Sequence, residues 1–123
     1  MKKITLLLFI IFTFLFTNTS WGEWSYVTEN LVGKFYIDKD RVRKSGKYLY
    51  FWDLVDFKSS SYTNYTQLDC TIFRFKTLKF HVHNKGMGEG SPIEESTPKD
   101  EWKYPKRNSS GETFYKKICE EHQ

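Results

Sequence analysis

The fold is organised around residues 65–75, YTQLDCTIFRF, a β-rich stretch that carries Cys70, one of the two cysteines in the chain. The other, Cys119, lies in a C-terminal segment with the pattern of a helix. Two cysteines in an exported protein pair with each other more often than they stay free, because the compartment is oxidising. We therefore predict a structural Cys70–Cys119 disulfide. A redox pair or a metal site is the alternative, but the Cys-x-x-Cys spacing of redox pairs is absent.

Residues 1–22 have the composition of a secretory signal peptide. Two lysines precede an apolar run over residues 4–16, and small residues at Ser20 and Gly22 precede the expected cut. The run of about 13 residues is shorter than the ~20 that span a bilayer. We expect cleavage before Glu23, no lipid anchor and no stable membrane insertion. The mature protein would be a single domain over residues 23–123, periplasmic or secreted.

The net charge and the length of the mature chain limit its classes of partner and indicate how it is stabilised. Loss of Lys2 and Lys3 lowers the formal net charge from +4 to about +2. Nucleic-acid binding needs a clustered basic face rather than a small excess of positive charge, so we expect no nucleic-acid partner. A domain of roughly 100 residues buries only about two-thirds of its unfolded surface, and a disulfide would therefore contribute much to its stability.

The mature segment predicts strands first and a helix last. Aromatic and β-branched runs bounded by turn residues indicate the strands, with a loop over residues 58–64 and irregular chain over residues 91–106. The predicted strands are residues 23–28, 34–37, a charged edge strand at 41–44, 47–57, and residues 66–84 divided in two near Lys76-Thr77. The fold class is therefore α+β, an antiparallel sheet of about six strands with one C-terminal helix packed on it and tied by the disulfide.

A capping box over residues 109–112, Ser-Ser-Gly-Glu, predicts where the helix begins. Four residues then share one face of the helix, namely Phe114, Tyr115, Ile118 and Cys119. The buried stripe would thus carry the cysteine that bonds to the sheet.

The strand over residues 47–57 is apolar on both faces. Tyr48, Tyr50, Trp52 and Leu54 form one face, and Leu49, Phe51, Val55 and Phe57 form the other. One short helix covers only one of them, and we expect Trp102 and Tyr104 to cover part of the second. The remaining open patch predicts a homodimer or a protein partner on the face away from the helix.

These features resemble the surface-adhesin protein E-like family of exported bacterial proteins. The resemblance is carried by Trp24, Phe35-Tyr36-Ile37-Asp38, Gly46, Trp52-Asp53-Leu54, Asp69-Cys70, Arg74, Gly86-Met87-Gly88-Glu89-Gly90, Trp102, Pro105 and Cys119. It implies a similar sheet-and-helix fold and a non-enzymatic binding module of the bacterial envelope, with a protein or host-matrix partner and dimer formation. The chain departs from the family's best-known member, a lipoprotein, because no lipid-attachment cysteine is present. Display on the cell surface through a lipid anchor is therefore not expected.

Candidate site residues are few. The candidate binding surface is a basic hairpin with two strand aromatics: Arg41, Arg43, Lys44, Lys47, Phe51 and Phe57. A solvated charged edge explains the hairpin equally simply. The sequence contains no nucleophile, cofactor loop or complete metal-ligand set, so we expect no enzyme and no cofactor.

The alternative function is a small enzyme or metal-binding protein. It would use His81 and His83, which share a strand face, together with Asp53, Asp56 or Asp69. Two exposed histidines are the more common case. Asp53 interrupts an apolar strand face, and we interpret it as an acceptor for backbone donors or for a neighbouring lysine or arginine.

Overall fold

A computed structural model describes residues 23–122, and the predicted signal peptide lies outside the described residues. The elements are β1 (Ser25–Glu29), β2 (Lys34–Ile37), a 3₁₀ turn (Lys39–Arg41), β3 (Arg43–Ser45), β4 (Tyr48–Asp56), β5 (Ser61–Asp69), β6 (Arg74–His83), a second 3₁₀ turn (Gly86–Gly88), β7 (Glu94–Ser96) and α1 (Ser110–His122). The seven strands form one antiparallel sheet in the order β1-β2-β4-β5-β6-β7, and β3 also pairs with β4. The predicted α+β fold is confirmed.

Strand β4 is the centre of the sheet, as its two apolar faces predicted. It pairs with β5 along its whole length, from Tyr48 opposite Asp69 to Asp56 opposite Ser61. Along the other edge of β4, strand β3 pairs with the first half of β4 and strand β2 pairs with its second half. A strand with neighbours on both edges and cover on both faces gains from apolar residues at nearly every position.

Helix α1 packs on one face of the sheet and forms the core there. The buried residues of this core are Ile37, Leu49, Phe51, Leu68, Phe114, Ile118 and Cys119. The predicted disulfide is confirmed, with the Cα atoms of Cys70 and Cys119 5.8 Å apart. Within residues 23–122, no helix has the length and apolar composition needed to cross a bilayer.

The start of α1 follows the capping-box prediction. The Ser109 hydroxyl accepts a hydrogen bond from the backbone N–H of Glu112 at 3.2 Å. The Glu112 carboxylate accepts one from the backbone N–H of Asn108 at 3.3 Å, one residue earlier than the usual box. Two N–H groups at the helix start are thereby satisfied.

The predicted division of residues 66–84 is wrong. Strand β5 already begins at Ser61, inside the predicted loop, and the chain turns at residues 70–73. The break in alternation near Lys76-Thr77 is a register shift within β6, where Thr66 pairs with Thr77 but Tyr65 pairs with Lys79. An extra residue in one strand reverses which side chains face the core, so a continuous strand imitates two strands in the sequence.

The turn after β5 is held by the side chain of Asp69. Its carboxylate accepts backbone N–H bonds from Thr71 and Ile72 at 3.0 and 3.2 Å, and a 3.1 Å charged bond from Arg74. Although burial alone would raise the pKa of Asp69, these donors lower it below its ordinary value. Asp69 thereby fixes the turn that carries Cys70 towards α1.

The second 3₁₀ turn covers one end of the face away from α1. The backbone N–H of Met87 donates to Asp56 at 2.9 Å, and that of Gly88 donates to the Ser61 hydroxyl at 2.8 Å. This loop packs on Leu54, which is completely buried although it lies on the face opposite the helix. Strand β7 extends the sheet beyond the predicted six strands, within residues 91–106 that were expected to be irregular.

Candidate binding surfaces

A strip of half-buried aromatic rings lies on the sheet face away from α1. We call it the aromatic strip, and its members are Tyr48, Tyr50, Trp52, Tyr65 and Trp102. The ring centroids of Trp52 and Tyr65 are 5.2 Å apart, and those of Tyr48 and Trp102 are 5.5 Å apart. Strand alternation places the three β4 rings on one side, and the β4–β5 register sets Tyr65 opposite Trp52.

Positive side chains surround the aromatic strip. The Arg43 guanidinium lies 5.2 Å from the ring centroid of Tyr50, and the Lys47 ammonium lies 5.4 Å from that of Tyr48. Arg74 and Lys76 contact the ring of Trp102 at 4.2 and 4.6 Å. These distances are within the range of cation–π attraction, so rings and cations form one continuous surface.

Some of these cations have no acidic partner. Arg74 pairs with Asp69, and Lys76 pairs with Asp100 at 2.7 Å. Within the described part of the chain, no ion pair includes Arg43, Lys47 or Lys79, although Lys79 is exposed beside Trp52 in a shallow groove. Positive charge beside the strip is thus not taken up by ion pairs among the described residues, although Glu95 lines the same groove as Lys79.

The structure divides the predicted binding surface. Arg43 and Lys47 lie beside the aromatic strip, whereas Arg41 pairs with Asp38 at 3.3 Å and Lys44 is exposed on β3. Phe51 has none of its surface exposed, because it lies under α1.

The prediction that Phe51 belongs to a contact surface is therefore wrong. The two faces of β4 were assigned correctly from the alternation, but the helix covers the face of Phe51 and not the face of Trp52. Phe57 packs edge-on against Tyr62, with centroids 4.9 Å apart, near the end of that same face. Trp102 covers part of the other face as expected. Tyr104 is 62 % exposed and borders the cleft described below, and its hydroxyl lies beside Arg74, the residue that also contacts Trp102.

The two histidines share the face of the aromatic strip, and among the described residues neither has a hydrogen bond or ion pair to Asp53, Asp56 or Asp69. His83 is only 1 % exposed, contrary to the expectation, and contacts the Thr63 hydroxyl at 3.1 Å and the Gly90 carbonyl at 3.2 Å. His81 stacks on Trp52. Asp53 lies on the opposite face, and among residues 23–122 no three His, Cys, Asp or Glu side chains are grouped to hold a metal ion.

A cleft of about 380 Å³ opens on the helix side of the sheet, between the first turns of α1 and strands β4 and β5. Its walls are mainly apolar and include Phe35, Val55, Phe75, Phe114 and Tyr115. Phe75 stacks on Tyr115 with centroids 4.6 Å apart, and Phe35 meets Phe114 edge-on at 6.0 Å. These ring pairs join the helix to the sheet around the cleft.

Asp53 is the acidic group in the wall of this cleft. Its two carboxylate oxygens accept one hydrogen bond each, from the Asn64 amide at 2.9 Å and from the Thr66 hydroxyl at 2.6 Å. Neither donor is a backbone N–H or a cation, which corrects the interpretation of Asp53. Burial raises its pKa from 3.8 to about 6, although both hydrogen bonds act in the opposite direction.

Sequence reasoning missed both the cleft and the strip as continuous surfaces. Tyr65 and Trp102 are far from β4 in the chain, and only the β4–β5 register and the course of the segment after β7 bring them beside it. The alternation of β4 was the available signal for the strip. The cleft has no equivalent signal, because its walls come from β2, β4, β5, β6, α1 and the segment before α1.

The chain belongs to the family described as surface-adhesin protein E, whose model matches residues 24–120. The match covers nearly all of the described residues and confirms the resemblance noted in the sequence. It supports an adhesin-like binding role and an exported protein rather than an enzyme. Neither a curated protein nor a solved structure gave a significant match to the chain.

Proposed function

We propose that this protein is an exported, non-enzymatic binding module, acting in the periplasm or outside the cell, that binds a protein partner through the aromatic strip. Family membership supports a binding role. The observation that carries the choice of surface is that five half-buried rings lie together on one face with unpaired cations among them. Tyrosine, tryptophan and arginine are the residues that contribute most strongly at protein interfaces.

The chemistry of the strip favours an acidic segment of the partner. Arg43, Lys47 and Lys79 lack carboxylate partners within the described residues, so acidic side chains would complete their ion pairs. The rings would supply the apolar contact area between these pairs. Complementary charge also raises the association rate, and this contribution decreases as salt screens it. An envelope protein or a host-matrix protein with an exposed acidic stretch fits this surface.

A homodimer through the same face is less favourable. In a symmetric dimer the same patch meets itself, so the unpaired cations of one copy would approach those of the other. Like charges brought together at an interface cost free energy unless acidic groups separate them. We therefore favour a different partner, and the oligomeric state becomes an outcome of the test.

The experiment measures binding of the purified protein to an acidic synthetic peptide and to immobilised matrix proteins. We expect Trp52→Ala and Lys47→Glu each to weaken binding by about tenfold, which corresponds to ~1.4 kcal/mol. Tyr62→Ala and Lys116→Glu are matched controls, because Tyr62 is a partly exposed ring on the opposite face of the sheet and Lys116 is an exposed lysine on α1. We expect these two variants to bind as the unmodified protein does.

Binding to the acidic peptide should also decrease as salt is raised from ~0.05 to ~0.2 M, because the Debye length shortens over this range. Equal losses in the strip and control variants would contradict the proposal, and so would binding that ignores salt. Sedimentation of the unmodified protein tests the dimer. A dimer that dissociates in Trp52→Ala would assign the strip to self-association instead.

A further inference from the structure

The cleft beside α1 is a second concave site, separate from the aromatic strip and on the opposite face of the sheet. Its volume of about 380 Å³ lies at the small end of the ~300–1,000 Å³ typical of ligand sites. Such sites are mostly apolar with a few polar groups that orient the ligand. This cleft has that composition, with aromatic walls and one buried carboxylate.

Asp53 is the buried carboxylate in the cleft wall and the group best placed to bind a cation. It is only 5 % exposed, and none of the ion pairs among residues 23–122 includes it. A carboxylate has about four acceptor positions, and here Asn64 and Thr66 use two of them. Buried charges are normally paired, so a carboxylate that is hydrogen-bonded but has no ion-pair partner among the described residues leaves acceptor positions for a cationic ligand.

Two lysines lie near enough to the cleft for the lack of an ion pair at Asp53 to be meaningful. Lys103 and Lys106 both line it, yet neither reaches Asp53 within ion-pair distance. The aromatic walls add a second preference, because ring faces attract ammonium groups and pack against flat apolar bodies. Carboxylate and rings together select a ligand that is apolar at one end and cationic at the other.

We propose that this cleft binds a small molecule with an aromatic or aliphatic body and one ammonium group, with the ammonium on the Asp53 carboxylate and the body against the rings of Phe75, Phe114 and Tyr115. This binding would be independent of the aromatic strip. The charged hydrogen bond supplies the selectivity, because bonds to ionised groups are roughly twice as strong as neutral ones. The class is therefore small organic amines.

The test compares three probes of the same shape: 2-phenylethylamine, 2-phenylethanol and phenylacetate. Binding is followed by calorimetry and by chemical-shift changes of the cleft residues. We expect the amine to bind at least about tenfold more tightly than the alcohol, and the acid to bind most weakly. An acid that binds best would overturn the proposal and assign the site to Lys103 and Lys106. Equal binding of the three, or no saturable binding at ~1 mM, would also overturn it.

Variants distinguish the contribution of the Asp53 carboxylate to binding from that of the cavity. Asp53→Asn keeps the shape but removes the charge, and we expect a loss of at least about tenfold for the amine with little change for the alcohol. Val55→Phe places a ring in the cleft and should abolish binding of both. Asp40→Asn removes an exposed carboxylate and should change neither. Undiminished amine binding in Asp53→Asn would refute the assignment.

The pH dependence gives a test on the unmodified protein. Protonation of Asp53 removes the negative charge, so amine affinity should fall by about tenfold from pH ~7.5 to pH ~5. The other groups that face the cleft from α1 and from the preceding segment are Tyr115, Tyr104, Lys103 and Lys106. Burial, and then the charge of Asp53, raise the pKa of Tyr115 well above its ordinary value, so Tyr115 stays neutral over this range. An affinity that is constant from pH ~5 to ~7.5 would contradict the role of Asp53.

Discussion

Replacing Asp53 by asparagine should stabilise the protein at neutral pH. The side chain is buried, no ion pair among the described residues includes it, and burial raises its pKa from 3.8 to about 6. The folded protein therefore holds a proton in a pH range where the unfolded chain has released it. Stability is highest when the carboxyl is neutral, falls as pH rises from ~4 to ~6, and stays at the lower level above that range.

The magnitude follows from this shift of about two pKa units. At about 1.4 kcal/mol per unit, the charged carboxylate costs up to about 3 kcal/mol above pH ~7. Asparagine removes the charge and can keep both hydrogen bonds, because its oxygen accepts from Asn64 while its amide donates to the Thr66 hydroxyl. We expect a gain of about 1–3 kcal/mol at pH ~8 and almost none at pH ~3.5.

The assay is urea unfolding of the unmodified protein and of Asp53→Asn at several pH values, with melting temperatures as a second measure. For a domain of this size, 1 kcal/mol shifts the melting temperature by about 4–8 °C. Asp40→Asn serves as the control, since Asp40 is exposed and its removal should leave the pH profile unchanged.

Two outcomes would refute this reasoning. One is an Asp53→Asn protein that is less stable than the unmodified protein at pH ~8, which would mean that the carboxylate has a cationic partner in solution. The other is a difference in unfolding free energy between the two proteins that does not vary from pH ~3.5 to ~8. The difference is the quantity to follow, because Asp69, whose pKa is lowered, makes the whole protein less stable in acid.

Three further changes test other parts of the fold. Cys119→Ser should lower the unfolding free energy by up to about 4 kcal/mol, because the bond to Cys70 closes a loop with a sequence separation of 49. Reduction of the unmodified protein should give a similar loss. An unchanged melting temperature in either case would contradict this prediction. Gly86→Ala should cost ~1–3 kcal/mol in urea unfolding, because its Cβ would lie 2.2 Å from the Lys58 carbonyl oxygen. Asp69→Asn should destabilise the protein at pH ~7, with the loss shrinking as pH falls below ~4, because there the unfolded chain takes up a proton at Asp69 before the folded protein does; a pH-independent loss would point to geometry rather than charge.

The sequence by itself determined that strands come first and a helix last, that the two cysteines pair, and where the helix starts. These features depend on local chemistry, namely the alternation of β4, the capping serine at Ser109 and a single pair of cysteines, and local signals survive without tertiary information. The division of residues 66–84 failed for a related reason. A register shift beside Tyr65 reverses alternation just as a turn does, and only strand pairing distinguishes the two.

Tertiary structure alone decided which face of β4 the helix covers. Both faces are apolar, so the sequence could not choose between the side of Phe51 and the side of Trp52. The β4–β5 register places Leu68 opposite Leu49 on the side of Phe51, Cys70 packs against the core on that side, and the disulfide to Cys119 holds α1 there. That geometry places Phe51 in the core, leaves the rings of the aromatic strip at the surface, and sets Asp53 in the cleft beside α1, because adjacent residues of a strand point to opposite faces of the sheet.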